Sequence, residues 1–276
     1  MKKFFTGMAK GFSDYGPAIS FIFKHQLAWF FLVPVFLNIL LFIGGFAAIS
    51  SFSNYLQAIV VDAVSLDDAT FFGAQVLSWL LAGTIGLILK VAFFFVFAYT
   101  GGYLIIIIMS PVLAYLSEKT EKILLKKEYL FDIQQLMRDI VRGILIALRN
   151  LFYQLLIIFV IFILGVIPLV GWLVSFVSPF ILFFVASYFY GFSFTDYVSE
   201  RQRLNVKQSV SFMKNNRGVI SGNGMPFSLI LMVPFFGLTL SGFVAIVAVV
   251  ASVISVKDEI SEINNDSKSK QNRLHE

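Results

Sequence analysis

Residues 151–195 read LFYQLLIIFVIFILGVIPLVGWLVSFVSPFILFFVASYFYGFSFT, 45 positions without one Asp, Glu, Lys or Arg. A helix crosses the hydrocarbon core of a bilayer with about 20 apolar residues, so this run is too long for a single crossing. Its turn-forming residues, Gly165, Pro168 and Gly171, sit together inside it, and the run reads as a helical hairpin. Residues 219–256 repeat the pattern, with Pro234 and Gly237 at the turn. Neither tip, 165–172 or 233–238, carries a charge that would hold it in water. Uncharged turns persist inside a bilayer where protein or a small wet cavity satisfies their backbone groups. Both hairpins are therefore expected to enter the membrane only part way; two ordinary pairs of full crossings with tight outer turns are the alternative.

Two more charge-poor runs precede these. Residues 27–49 suit one crossing. Residues 71–116 contain only Lys90, and are expected to cross between Val91 and Leu113, with 71–89 at the outer surface around Trp79 and Lys90 anchoring at an interface. The fold class is an all-α integral membrane protein: two long transmembrane helices plus two helical hairpins. Composition agrees, since the 276 residues are 58% hydrophobic and 13% charged, with 33 phenylalanines and a mean hydropathy of +0.86. A water-soluble chain of this make-up would expose apolar patches that aggregate.

The charges set topology. Lys2, Lys3, Lys10 and Lys24 precede the first run, whereas 50–70 holds no cation but Asp62, Asp67 and Asp68. Cations return in Lys119, Lys122, Lys126, Lys127, Arg138, Arg142 and Arg149, and again in Arg201, Arg203, Lys207, Lys214 and Arg217. By the positive-inside rule both termini, 117–150 and 196–218 face the cytosol, as in an inner-membrane protein. Two amphipathic stripes are expected to form cytoplasmic helices. One runs through Phe4, Met8, Phe12, Tyr15, Ile19 and Ile22, bent at Gly16 and Pro17. The other runs through Leu130, Ile133, Met137, Ile140, Ile144 and Leu148. Residues 1–256 form one membrane domain, and 257–276 a polar tail expected to be disordered. The net charge of +5 is spread between apolar runs, which argues against a nucleic-acid partner.

Chemistry is sparse. Cysteine is absent, and His25 and His275 are the only histidines, so no metal-ligand motif, nucleophile–base pair or cofactor site is legible, and no phosphate-binding loop occurs. Ser110, Ser175 and Ser178 read as helix-packing residues. The four apolar runs contain no Asp or Glu, whereas proton-coupled carriers use intramembrane carboxylates as relays; passive conduction or a driving partner is expected. Helices that start inside a membrane aim unpaired N–H groups and a positive dipole end inward, which attracts anions. The returning arms start near Gly171 and near Gly237, the latter with the hydroxyls of Thr239 and Ser241. Simple turn-making is the other role open to these glycines.

Several patterns together resemble the family of CysZ sulfate permeases and etoposide-induced proteins, over about 11–256. They are the stretch from Pro34 to Asn38, Ser110-Pro111 followed by Leu116, Glu118 and Glu121, Pro168 with Gly171, Asp196-Tyr197 followed by basic residues, Pro226, and Pro234. The resemblance implies two long transmembrane helices, two partly penetrating hairpins, a homo-oligomer, and sulfate entry without an ATP motif. The bacterial permeases carry a glycine and two arginines before the first-span proline, where this chain has Gln26, Ala28 and Trp29. Lys24 and His25 are the nearest cationic or hydrogen-bonding substitutes. The implied anion site then comprises Lys24, His25, Gly171, Gly237, Thr239 and Ser241. The alternative is a non-transporting membrane scaffold or assembly protein of the same family.

Overall fold

The computed structural model describes residues 2–39, 55, 74–126, 133–167, 170–201, 204, 206–233 and 236–259. The expected outer loop 50–70 (Tyr55 apart), Pro168, Pro234 and most of the tail lie outside them. Every element among the described residues is helical: α1 (Lys2–Ser13), α2 (Tyr15–Lys24), a 3-10 turn (Ala28–Phe31), α3 (32–39), α4 (Ala74–Leu125), α5 (Ile133–Val166), α6 (Val170–Arg201), α7 (Val206–Asn215), α8 (Arg217–Leu231) and α9 (Gly237–Ser255). The chain divides into two compact units. Val33–Gly101 holds α3 and the first half of α4; Met1–Leu32 with Gly102–Glu276 holds the rest.

α4 runs unbroken from Ala74 to Leu125, through Lys90 and through the expected crossing from Val91 to Leu113. Pro111 also lies inside α4 and interrupts nothing. Among the described residues four segments are long and apolar enough to cross a membrane, Gly101–Leu125, Ile133–Val166, Val170–Glu200 and Gly237–Ser255, and a fifth if the bent pair Lys2–Lys24 and Ala28–Ile39 makes one span. The protein is therefore a multi-pass membrane protein.

The two hairpins differ in reach. α5 has 34 residues and α6 has 32, about 50 Å each at 1.5 Å per residue, which is ample for a full crossing. α8 has 15 residues, about 22 Å, short of the ~30 Å core. Along the first hairpin large apolar side chains face outward, among them Phe159, Phe162, Trp172, Leu173 and Phe176, a surface suited to lipid. α9 is the opposite case: Ala245, Ala248, Ala251, Ser252 and Ser255 are buried, and such small residues let neighbouring helices close around it.

α8 is wedged between α1 and α6. Positions 218 and 222 share one face, while 220 and 224, two residues out of step, share the opposite face. A Cβ added at Gly218 would overlap the Phe4 carbonyl, and one at Gly222 the Met8 carbonyl, so α1 runs parallel to α8 with backbones almost touching. Gly7 and Gly11 complete that contact against Val219 and Asn223. On the far side a Cβ at Gly191 would overlap the Ile220 carbonyl and one at Gly224 the Ser187 carbonyl, which sets α6 antiparallel to α8. The N-terminal helix thus follows α8 lengthwise. Tyr15 Oη donates to the Asn223 carbonyl (2.6 Å) and Ser255 Oγ to Asp14 Oδ2 (2.6 Å), fastening the joint between α1 and α2 to both arms.

Candidate functional site

Two polar features stand out in the unit that holds both hairpins. The first is the end of α2. The Leu27 N–H donates to the Ile22 carbonyl (2.9 Å) and the Gln26 N–H to the Phe23 carbonyl (3.3 Å), the paired bonds of a Schellman ending, with Ile22 and Leu27 both buried as its apolar contact. Gln26 occupies the left-handed position of this motif, at φ 56°, where glycine is favoured. The glycine that the family resemblance assigns to this place has a backbone reason. Replacing Gln26 by glycine is expected to stabilise the protein by about 1 kcal/mol, since a side chain in this region strains against the backbone; a melting temperature at or below the parent's would count against it.

Beyond the break the chain folds onto α9. The rings of Phe23 and Phe31 lie 6.4 Å apart, and Phe31 stacks on Phe243 at 6.2 Å. Thr239 is one turn and Ser241 half a turn from Phe243 on the same helix. The ring contacts thus bring the chain beyond the α2 end onto α9 at Phe243. Lys24 and Thr239 are exposed. His25 is half-buried and its ring lies 4.3 Å from that of Phe21. Ser241 is buried, and its hydroxyl donates to the Leu238 carbonyl (2.7 Å). The Gly237 N–H donates to the Val233 carbonyl (2.9 Å), so that glycine closes the turn. Gly171 sits apart at the tip of the first hairpin, its N–H on the Ile167 carbonyl (2.7 Å), where a Cβ would overlap the Gly165 carbonyl. Of the positions implied by resemblance, Ala28 and Trp29 offer no charge, and Trp29 stacks on Phe30 at 3.9 Å.

The second feature lies where α5, α6 and α7 meet. Arg142 Nε and Nη2 donate to both oxygens of Asp196 (3.0 and 3.2 Å), Nη1 donates to the Leu204 carbonyl (2.6 Å) and pairs with Glu200, and Nη2 also donates to Ser209 Oγ (2.6 Å). The bidentate geometry exploits the planar guanidinium. Next to it Tyr197 Oη donates to Ser110 Oγ (3.1 Å), which donates to the Ile140 carbonyl (3.2 Å). A Cβ at Gly143 would come within 2.8 Å of the Tyr197 ring. Two turns further along α5, Asn150 donates to Ser193 Oγ (3.0 Å) and to the Phe189 carbonyl (3.2 Å), and Tyr103 donates to Gln154 (2.7 Å). Charge counting treated Arg142 as a topology marker, and Asp196 fell just past the charge-free run; their pairing across 54 positions had no local signal.

Among the described residues no cluster of three His, Asp or Glu converges as a metal site. The Asn223 amide nitrogen and the hydroxyls of Ser228 and Ser252, on α8 and α9, are buried donors with no protein partner.

Among curated proteins none matches the chain. The family described as sulfate transporter CysZ/etoposide-induced protein 2.4 matches residues 15–241, a span that runs from the start of α2 into the first turns of α9 and takes in both hairpins. The chain belongs to this family.

Proposed function

We propose that the protein is a passive inner-membrane permease for a small anion, with sulfate the first candidate, working as a homo-oligomer with both termini in the cytosol. The reading is supported by the family to which the chain belongs and by the break that ends α2, where Lys24 is exposed and His25 half-buried beside the chain's return onto α9 at Phe243. A cationic group at such a helix break favours an oxyanion. The four apolar runs contain no carboxylate relay, in keeping with passive conduction.

The deciding experiment is sulfate flux into liposomes that contain only the purified protein. Flux above that of empty liposomes is expected, and the Lys24→Ala, His25→Ala double variant is expected to lose at least about tenfold, as for removal of a charged binding pair worth roughly 1.5 kcal/mol. Unchanged flux in an assembled double variant removes the site; no flux in the parent favours the scaffold reading. Orientation is tested separately with single cysteines, which the cysteine-free chain permits. An impermeant reagent on intact cells is expected to label a cysteine at Asp67 but not at Lys126 or Lys207. The reverse pattern inverts the topology.

A further inference from the structure

Along its outer face α5 exposes Met137, Val141 and Leu145, and the same apolar face continues through Leu148, Phe152 and Phe159. Beside its first half lies an open groove of about 470 Å³, lined by Arg138, Val141, Arg142, Leu145, Glu200 and Val206. That size is ordinary for a small-molecule site. From the Arg142–Asp196 pair to the hairpin tip, α5 and α6 have about 36 and 39 Å of helix at 1.5 Å per residue, slightly more than the ~30 Å hydrocarbon core. The groove is thus at headgroup level when the hairpin crosses. The one cation further along α5, Arg149, is sheathed by the rings of Tyr153 (5.0 Å) and Phe192 (5.4 Å) and donates to Asn150, so it is compatible with depth.

Both signs of charge face this groove. α5 contributes Arg138 and Arg142, α6 contributes Glu200, and the buried Asp196 lies behind Arg142, bonded to it. The two cations balance the two carboxylates. An anionic headgroup would meet Glu200 unfavourably, and a choline headgroup has no N–H to offer it. We propose that the groove holds one zwitterionic phospholipid with a primary-amine headgroup. Its phosphate lies toward Arg138 and its ammonium toward Glu200. One acyl chain follows Val141 and Leu145 onto the apolar face of α5 and so into the bilayer. The occupant is chosen by charge complementarity at one end of the groove and by continuity with a lipid-facing helix at the other, and it stands whether or not the protein conducts an anion.

The test uses the full chain, purified in mild detergent and stripped of lipid, with phosphatidylethanolamine, phosphatidylcholine or phosphatidylglycerol added back and binding read by native mass spectrometry. One phosphatidylethanolamine per chain is expected, with about fivefold preference over the other two, the size of one favourable partly exposed charge pair. Arg138→Ala should weaken all phosphate binding, and Glu200→Gln should erase the preference for the amine headgroup over the choline one. Val141→Asp, at a half-exposed position that folding tolerates, should abolish binding while leaving the lipid-free melting temperature within a few degrees. Equal uptake of the three lipids, or strongest uptake of phosphatidylglycerol, would overturn the assignment. So would a lipid-independent dimer that Val141→Asp dissociates, because the groove's cover would then be a second copy.

Discussion

Gly191→Ala is expected to cost roughly 3 kcal/mol or more, in the upper range for overpacking a close-fitted interior, and to remove most folded protein from a mild-detergent extract. The added methyl would coincide with the Ile220 carbonyl and crowd the Gly224 amide nitrogen at 3.0 Å. Those neighbours are backbone, which cannot swing aside as the end of a flexible side chain does. Helices packed in lipid gain little from hydrophobic expulsion and depend on close van der Waals contact, so separating α6 from α8 forfeits the contact that positions the second hairpin. Gly224→Ala should behave alike, since its methyl would strike the Ser187 carbonyl. Gly16→Ala and Gly165→Ala are the controls. Nothing lies within 4 Å of a Cβ at either position, and alanine there should be neutral or stabilising by up to about 1 kcal/mol from helix propensity. A Gly191→Ala protein that elutes and melts like the parent would show that the α6–α8 contact is looser than described.

These glycines show where sequence reading stops. Hydropathy and charge locate the hairpins because each helix must satisfy lipid along its length. The runs 151–195 and 219–256 indeed become α6 with the second half of α5, and α9 with most of α8. The contact between helices is encoded by missing side chains, to which a hydropathy average is blind. The spacings Gly7 to Gly11, Gly218 to Gly222 and Ser187 to Gly191 were visible as small residues four apart, and that pattern could have announced the α1–α8 and α6–α8 contacts. The stripe of Phe4, Met8 and Tyr15 was visible too, but amphipathicity says only that one face is covered. The face that aligns α1 with α8 is that of Gly7 and Gly11, while Phe12 of the stripe stays exposed. For the candidate anion site, Lys24, His25 and the tip residues were legible as residue types. The return of the chain onto α9 after the break was not, because it rests on the Phe23–Phe31–Phe243 ring contacts across more than 200 positions.

Replacing Arg142 by methionine is expected to destabilise the protein by about 3–5 kcal/mol, the cost of leaving a buried carboxylate without its partner. Asp196 is 2% exposed and Arg142 16%, so water cannot take over the role of the guanidinium. Arg142 also carries the Leu204 carbonyl and Ser209, and its loss frees the link between α6 and α7 from α5. These two consequences separate in a double variant. Arg142→Met with Asp196→Asn removes the orphan charge together with the arginine, and should recover roughly 2 kcal/mol of the single variant's loss, because coupled residues in contact are non-additive by this order. The link stays unfastened in both, so limited proteolysis near Leu204 should be faster than in the parent for single and double variants alike. Recovered melting with persistent cleavage is the signature of a buried pair that also serves as a clasp. Additive losses below about 1 kcal/mol for each single change, the size of an exposed ion pair, would mean that solvent reaches Asp196 and that the junction of α5, α6 and α7 is held elsewhere.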